Sequence, residues 1–290
     1  MSSELFFQAM VNGLMLAALY ALVALGLTLI FGLLDVVNFA HGQLILLGAY
    51  VLSSIVDIGA SFWVALPIVV AGLVVLGVVL DMALFARVRD EPINGLLISL
   101  GLVAILENAF HVIYGPDLRR VPAPIDAVID IAGVRISGNR LLVIVVTVVV
   151  LVALSYFLRR TRTGKAMRAT AEADEAAGLM GIRVERIRHI AFAAGAGLAG
   201  LAGVLMATVY PIEPSLGEGP LIMGFAALIL GGSRSPLGAV LGAVVIGTVQ
   251  SFGTTYLSSS LADVLVFAFL ILILFWRPQG LLRARLETAL

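Results

Sequence analysis

The chain of 290 residues has no cysteine, which excludes disulfide bridges and thiolate metal sites at once. Charge is scarce as well. Asp, Glu, Lys and Arg make up 12% of the residues, against about 25% in soluble globular chains. The formal net charge is zero, and the one basic cluster is interleaved with acids, so no nucleic-acid footprint is present. The only histidines, His41, His111 and His189, share no metal-ligand spacing. Phosphate-binding loops are missing too. Thr163-Gly164-Lys165-Ala166 lacks both the preceding glycine and the hydroxyl that a nucleotide loop requires. Gly195-Ala196-Gly197-Leu198-Ala199-Gly200 fits a dinucleotide fingerprint by spacing, but it lies inside an apolar span with no strand before it. Its small residues read instead as a helix-packing face.

What is abundant is apolar. Hydrophobic residues are 61% of the chain and mean hydropathy is +1.12, the profile of an integral membrane protein. Thirty glycines among them suit close helix packing in lipid. The N-terminus MSSELFFQAM has no basic n-region and the run behind it is too long for a signal peptide, so it reads as a retained membrane helix.

A helix needs about 20 apolar residues to cross a bilayer. Candidate spans run over 5–34, 44–58, 62–86, 93–114, 141–158, 190–210, 221–230, 239–252 and 261–276. Polar breaks fall at DVVNFAHGQ (35–43), PIEPSLGEGP (211–220) and GGSRSPLG (231–238). The expected fold is all-α, a polytopic transmembrane bundle of about eight or nine segments, with broken or re-entrant helices near 35–43 and 231–238. These two breaks resemble each other faintly, and paired broken segments in two halves of a chain point to a transport pathway. The stretch VPAPIDAVIDIAGVRISG predicts a small extended hairpin.

The stretch 159–188 stands apart, with eight of the eighteen Lys and Arg residues and the acids Glu172, Asp174, Glu175 and Glu185. Positive residues mark the cytoplasmic side. This stretch, the 87–91 loop and the 277–285 tail are therefore placed inside, and 115–140 and 211–220 outside.

Two groups of polar residues lie in or beside the spans. Asp35, Asn38, His41 and Gln43 sit at a membrane break, where Asn38 either caps the helix that follows or joins its neighbours in lining a water-filled path. Glu107 and His111, four apart with Asn108 between them, share one helix face and are placed to pair. An ionised group in mid-bilayer costs roughly 2.5–3.5 kcal/mol, so Glu107 needs a partner or water. It reads either as part of an interhelical polar cluster or as part of a path.

Within 159–188, Glu175-Ala176-Ala177 is followed by Gly181. An acid at a helix start suits the dipole, alanines permit close approach, and Gly181 can end the helix in a left-handed conformation. The spacing E-A-A-x-x-x-G resembles the cytoplasmic coupling motif of ABC importer permeases. GLTLIFGLLDVVNFAHGQLILLGAY, RTRTGKAMRATAEADEAAGLMGI and AALILGGSRSPLGAVLGA together resemble the permeases of high-affinity branched-chain amino acid importers in family order. VERIRHIAF after Gly181 lacks the Leu-Pro ending of the general motif, as that group's own sequences do.

The resemblance implies a single transmembrane permease domain over 1–290, with 159–188 as its cytoplasmic coupling segment. It implies a multi-pass protein of the bacterial inner membrane that is not an enzyme and that moves branched-chain or other apolar amino acids. On this resemblance Glu175, Ala176, Ala177 and Gly181 would contact the ATPase; the candidates to line the path remain the polar residues read above, Asn38, His41, Gln43, Glu107 and Asn108. The implied partners are a second, homologous permease subunit, two cytoplasmic ATPase subunits that bind the ATP, and a periplasmic substrate-binding protein. The rival readings are a urea or short-amide permease and a proton-coupled secondary transporter using Glu107 and His111.

Overall fold

The computed structural model describes residues 3–89, 91–131, 134–278 and 280–282. Asp90 of the 87–91 loop and Arg283 and Arg285 of the basic tail lie outside the described residues. Helices dominate because the apolar runs are long and unbroken. α1 spans Ser3–Leu34, α2 His41–Asp57, α3 Phe62–Ala83, α4 Pro92–Tyr114 and α5 Gly138–Arg160. α6 (Arg162–Glu172) and α7 (Asp174–Leu179) are short, and then come α8 (Val184–Ala207), α9 (Glu218–Gly231), α10 (Pro236–Tyr256) and α11 (Ser259–Trp276). The expected hairpin is present as β1 (Val128–Ile131) and β2 (Val134–Ser137), paired antiparallel with Val128 opposite Ser137.

Among the described residues seven helices are long and apolar enough to cross a membrane: α1, α3, α4, α5, α8, α10 and α11. α2 and α9 are shorter, yet each completes a crossing with an irregular lead-in. The two ends of the 35–57 segment bind at opposite ends of the bundle. Asp35 accepts from Arg234 at 2.8 Å on one side, and Asp57 accepts from Arg119 at 3.4 Å on the other. The 208–231 segment does the same in reverse. Ile212 exchanges backbone hydrogen bonds with Arg119, at 3.1 and 2.8 Å, while Gly231 accepts from the Leu282 N–H at 3.2 Å. The expected eight or nine segments are thus seven full helices and two half-helices.

Within the break at 35–43, residues 35–40 form the irregular lead-in to α2, and His41, Gly42 and Gln43 are the first residues of the helix itself. The break at 231–238 is a tight turn between α9 and α10 rather than a re-entrant element. Gly232 holds φ at +105°, and the Gly231 and Gly238 backbones abut so closely that a Cβ on Gly231 would lie 2.0 Å from the Gly238 oxygen. The geometric counterpart of 35–40 is 208–217, whose Pro211, Pro214 and Gly217 prevent a helix from reaching full length.

α8 forms the centre, with 17 of its 24 residues buried. Its run of Gly and Ala lets α1, α2 and α3 approach to backbone distance. At the α2–α8 crossing a Cβ on Gly203 would lie 1.9 Å from the Ile45 oxygen. α10 runs antiparallel to α1, with the Ser251 hydroxyl donating to the Ala9 carbonyl at 2.7 Å near one end and Arg234 reaching Asp35 at the other. α4 is peripheral, only 11% of its span being buried. Arginines and lysine of the α5–α8 connection mark their end of the bundle as cytoplasmic.

Candidate functional site

The cytoplasmic elbow is built from α6 and α7. Thr161 starts α6 by accepting the Gly164 N–H on its hydroxyl at 3.0 Å, a side-chain N-cap. α7 carries Asp174 and Glu175 in its first turn, where the helix dipole favours them. Its end is a Schellman motif. The Ile182 N–H bonds the Ala177 carbonyl at 3.1 Å, the Gly181 N–H bonds Gly178 at 2.9 Å, and Gly181 holds φ at +84°. The left-handed stop expected at Gly181 is therefore there.

The four residues of the motif do not all face one way. Glu175 and Ala176 are exposed, whereas Ala177 is buried against the body of the protein. The sequence reading passed over the two side chains that project furthest. Leu179 is 90% and Met180 84% exposed, at the tip of the elbow and far from any lipid-facing span. A pair of adjacent large apolar residues beside an acid, at the apex of a charged loop, was the signal available.

Behind the elbow lies an ionic network that the sequence reading missed. Asp81 of α3 is fully buried and accepts from Arg89 Nη2 at 2.6 Å. His189 Nδ1 lies 2.6 Å from the same carboxylate oxygen. Arg89 also donates to Glu185, Glu185 accepts from Arg188 at 3.0 Å, and Arg188 reaches Asp174 at 2.7 Å. The chain Asp174–Arg188–Glu185–Arg89–Asp81 thus ties α7 to α8 and then to α3. An aspartate standing inside the apolar run VVLDMALF was the one visible clue.

Deep in the bundle, the N-terminal ends of the two half-helices meet. The Gly42 and Gly217 backbones touch, leaving no room for a side chain at Gly217, where a Cβ would lie 2.1 Å from the Gly42 oxygen. α2 runs outward from this point and α9 inward. The positive ends of two helix dipoles therefore converge. His41 packs against Gly26 of α1, eight residues from the inner end of that helix, or about 12 Å. Asn38, His41 and Gln43 are all buried here. Among the described residues both side-chain atoms of Asn38, both ring nitrogens of His41 and the Gln43 Oε1 have no hydrogen-bond partner.

Asn38 does not cap α2. The helix begins at His41 with Ala40 in the cap position and no side-chain cap bond, and only the Asn38 carbonyl contributes, accepting from the His41 N–H at 3.3 Å. The chain already turns at 38–41, so the Asn38 amide points into the interior instead of back at the first turn. Phe39 alone of this stretch looks outward, its ring 5.5 Å from that of Phe225 on α9.

Glu107 and Asn108 stand apart from this group on peripheral α4. Asn108 is exposed and donates to its own helix at Ala104, 2.7 Å away. Among the described residues no ion pair joins Glu107 to His111, although they share a helix face. His111 is exposed on the outer face of α4, and the helix meets the bundle through a different stripe that includes Gly95, Ser99 and Phe110. No hydrogen bond among the described residues links this pair to Asn38, His41 or Gln43.

Towards the outer side a cavity of about 470 Å³ opens between α1, α9 and α10. Arg140, Glu213 and Asp263 bring both signs of charge to it, and Met15, Leu19 and Met223 supply an apolar wall. Tyr20 donates to Gln250 at 2.5 Å and Gln250 to Asp263 at 3.0 Å, fixing one flank. Leu216 and Gly219 at its floor lie on either side of the Gly217 contact.

These features define a multi-pass helical membrane protein with two broken crossings, an outer cavity above their junction and a protruding cytoplasmic elbow. The comparison with known families is specific. A family model described as the permease component of the branched-chain amino acid transport system matches residues 9–274, and the chain belongs to that family. It is 32% identical to the high-affinity branched-chain amino acid transport system permease protein BraD of Pseudomonas aeruginosa, over 96% of this chain and 95% of that one. It is 30% identical, with the same coverage, to the corresponding permease protein LivH of Escherichia coli K12. A probable branched-chain amino acid transport permease protein LivH of Methanocaldococcus jannaschii is 28% identical over 83% of this chain and 79% of its own. No solved structure matches.

Proposed function

We propose that this chain is the membrane-spanning permease subunit of an ATP-driven importer of the bacterial inner membrane, carrying branched-chain or other apolar amino acids. The observation that carries this reading is the elbow, an exposed α7 and its Leu179–Met180 tip connected to the central helix α8 by the Arg188–Asp174 ion pair. A lever of this form suits an ATPase docked from the cytoplasm. A second, related permease subunit and an exported binding protein complete the assembly that the family resemblance implies.

In this reading substrate enters the outer cavity, where charges of both signs suit a zwitterion and the apolar wall suits its side chain. The contact of Gly42 with Gly217 closes the floor, and Asn38, His41 and Gln43 supply unpartnered polar atoms just below it. Movement of α7 reaches α8 through Arg188 and Glu185, and α8 crosses α2 directly above that floor. Glu107 and Asn108 sit on the face of α4 that a second subunit would cover. With no ion pair between Glu107 and His111 among the described residues, and no hydrogen bond from them to Asn38, His41 or Gln43, nothing favours a proton relay.

The test is uptake into proteoliposomes holding this chain with its neighbouring permease, ATPases and binding protein. Labelled leucine should accumulate with ATP, and the chain alone should show no gradient-driven uptake. Glu175→Lys, and Leu179→Asp with Met180→Asp, should leave the membrane domain folded and weaken ATPase docking by about 2 kcal/mol, or roughly thirtyfold, as for a central interface anchor. Full uptake by both variants would refute the coupling role. Accumulation of urea or acetamide in place of leucine would move the substrate assignment.

The deep polar group is tested separately by Gln43→Met. Removing a buried acceptor that has no partner is neutral or stabilising for the fold, so the melting temperature should hold or rise. Uptake should nevertheless fall if Gln43 faces the path. A variant that melts and transports like wild type would make Gln43 a bystander.

A further inference from the structure

A groove of about 720 Å³ lies on the cytoplasmic half of the protein, well away from the outer cavity and the elbow tip. Its floor and walls are apolar, from Leu25, Leu151, Leu154, Leu237 and Val240 of α1, α5 and α10. Arg159, Arg160 and Arg168 form its rim at the start of the cytoplasmic segment. All three are exposed, none makes an ion pair among the described residues, and no acid lines the groove. Tyr156, 66% exposed, sits one turn below the arginines, where an aromatic belt meets the headgroup level.

Uncompensated cations next to a greasy slot would be costly to cover with an ordinary protein surface. The same arrangement matches one molecule closely. From Arg159 to Val152 the helix descends seven residues, about 10 Å, the step from a lipid phosphate into its acyl chains. We propose that this groove is a binding site for an anionic phospholipid of the cytoplasmic leaflet. Its phosphate lies among Arg159, Arg160 and Arg168, and its acyl chains run along α5 against α10. Basic pockets between transmembrane helices on the cytoplasmic side hold acidic headgroups in this way. Because α5 leads directly into α6, the lipid would also brace the base of the elbow. The site itself stands on the groove and its charges, whatever the cargo of the permease.

The test is native mass spectrometry of the full-length chain, titrated with phosphatidylglycerol or phosphatidylcholine of matched acyl length. Phosphatidylglycerol should bind in preference and raise the melting temperature. Substituting all three arginines (Arg159→Gln, Arg160→Gln, Arg168→Gln) should weaken that binding by about tenfold or more, whereas Arg186→Gln, outside the groove, should not. Leu237→Trp, which fills the slot and keeps every cation, should abolish the adduct too. That second variant guards against a triple variant that fails to fold. Equal binding of the two lipids would overturn the proposal, and so would retention of phosphatidylglycerol by Leu237→Trp. Displacement of the bound lipid by inorganic phosphate alone would reassign the rim as a free-anion site and likewise end it.

Discussion

Asp81→Ala is expected to destabilise the protein by about 3 kcal/mol, the lower end of the cost of removing one partner from a buried ion pair. Arg89, with a side chain only 6% exposed, loses its 2.6 Å contact, and His189 loses the carboxylate it packs against. The loss is not larger because Glu185 still receives the Arg89 guanidinium. Asp81→Asn keeps the shape and one acceptor, so it should cost roughly 1.5 kcal/mol, the value of a hydrogen bond to a charged group. Thermal unfolding in detergent gives both numbers. A double-mutant cycle with Arg89→Gln should show a coupling of about 1–3 kcal/mol. Additive single effects would mean that the two side chains do not interact, and the proposed link from elbow to α3 would lose its last member.

A second large effect is expected at the α2–α8 crossing. At Gly203 a Cβ would stand 1.9 Å from the Ile45 oxygen, 2.8 Å from its carbonyl carbon and 3.1 Å from the Ala49 nitrogen. All three neighbours are backbone atoms of a buried helix, so nothing nearby can rotate away. Gly203→Val must push α2 off α8, and overpacking of that kind costs about 3 kcal/mol or more. Gly101→Ala on peripheral α4 is the matched control, because a Cβ there meets nothing within 4 Å. Size-exclusion profiles should show Gly101→Ala monodisperse and Gly203→Val aggregated or absent. A well-behaved Gly203→Val protein would mean that the two helices are not held at backbone distance.

The long helices and the side that faces the cytoplasm were legible because length, hydropathy and arginine placement act locally along the chain. The hairpin at 128–137 was legible for the same reason. The half-helix α9 was harder. Its lead-in 208–217 carries the prolines of an ordinary surface loop, and only the meeting of Gly217 with Gly42, 175 positions apart, reveals that it descends into the bundle. Asp81, Arg89 and His189 are similarly scattered, and three ionisable residues separated by up to 108 positions give no periodic signal. Glu107 and His111 share a helix face as their spacing requires, but His111 faces away from the bundle and no ion pair joins them among the described residues. At the elbow the motif was visible while its orientation was not. Which alanine turns inward depends on the Schellman turn and on the Arg188–Asp174 bond, and both are properties of the folded segment.

The burial of α8 also bears on how the protein is made. From Ala191 to Ala207 every residue of α8 but Ala194 is buried, which leaves that stretch almost no permanent surface for lipid, so its glycines and alanines meet acyl chains only during synthesis. α1, α2 and α3 leave the ribosome more than a hundred residues before α8 is complete, and until then the face they will give to it is open. α2, with 17 residues, is at the short limit of a spanning helix and leans on its irregular lead-in to complete the crossing. The first three crossings therefore wait as a loose set, and the arrival of α8 is the event that converts them into a fixed body. Biogenesis of this permease hinges on its sixth crossing, and the same Gly and Ala residues that let the helices close leave that step with little hydrophobic force of its own.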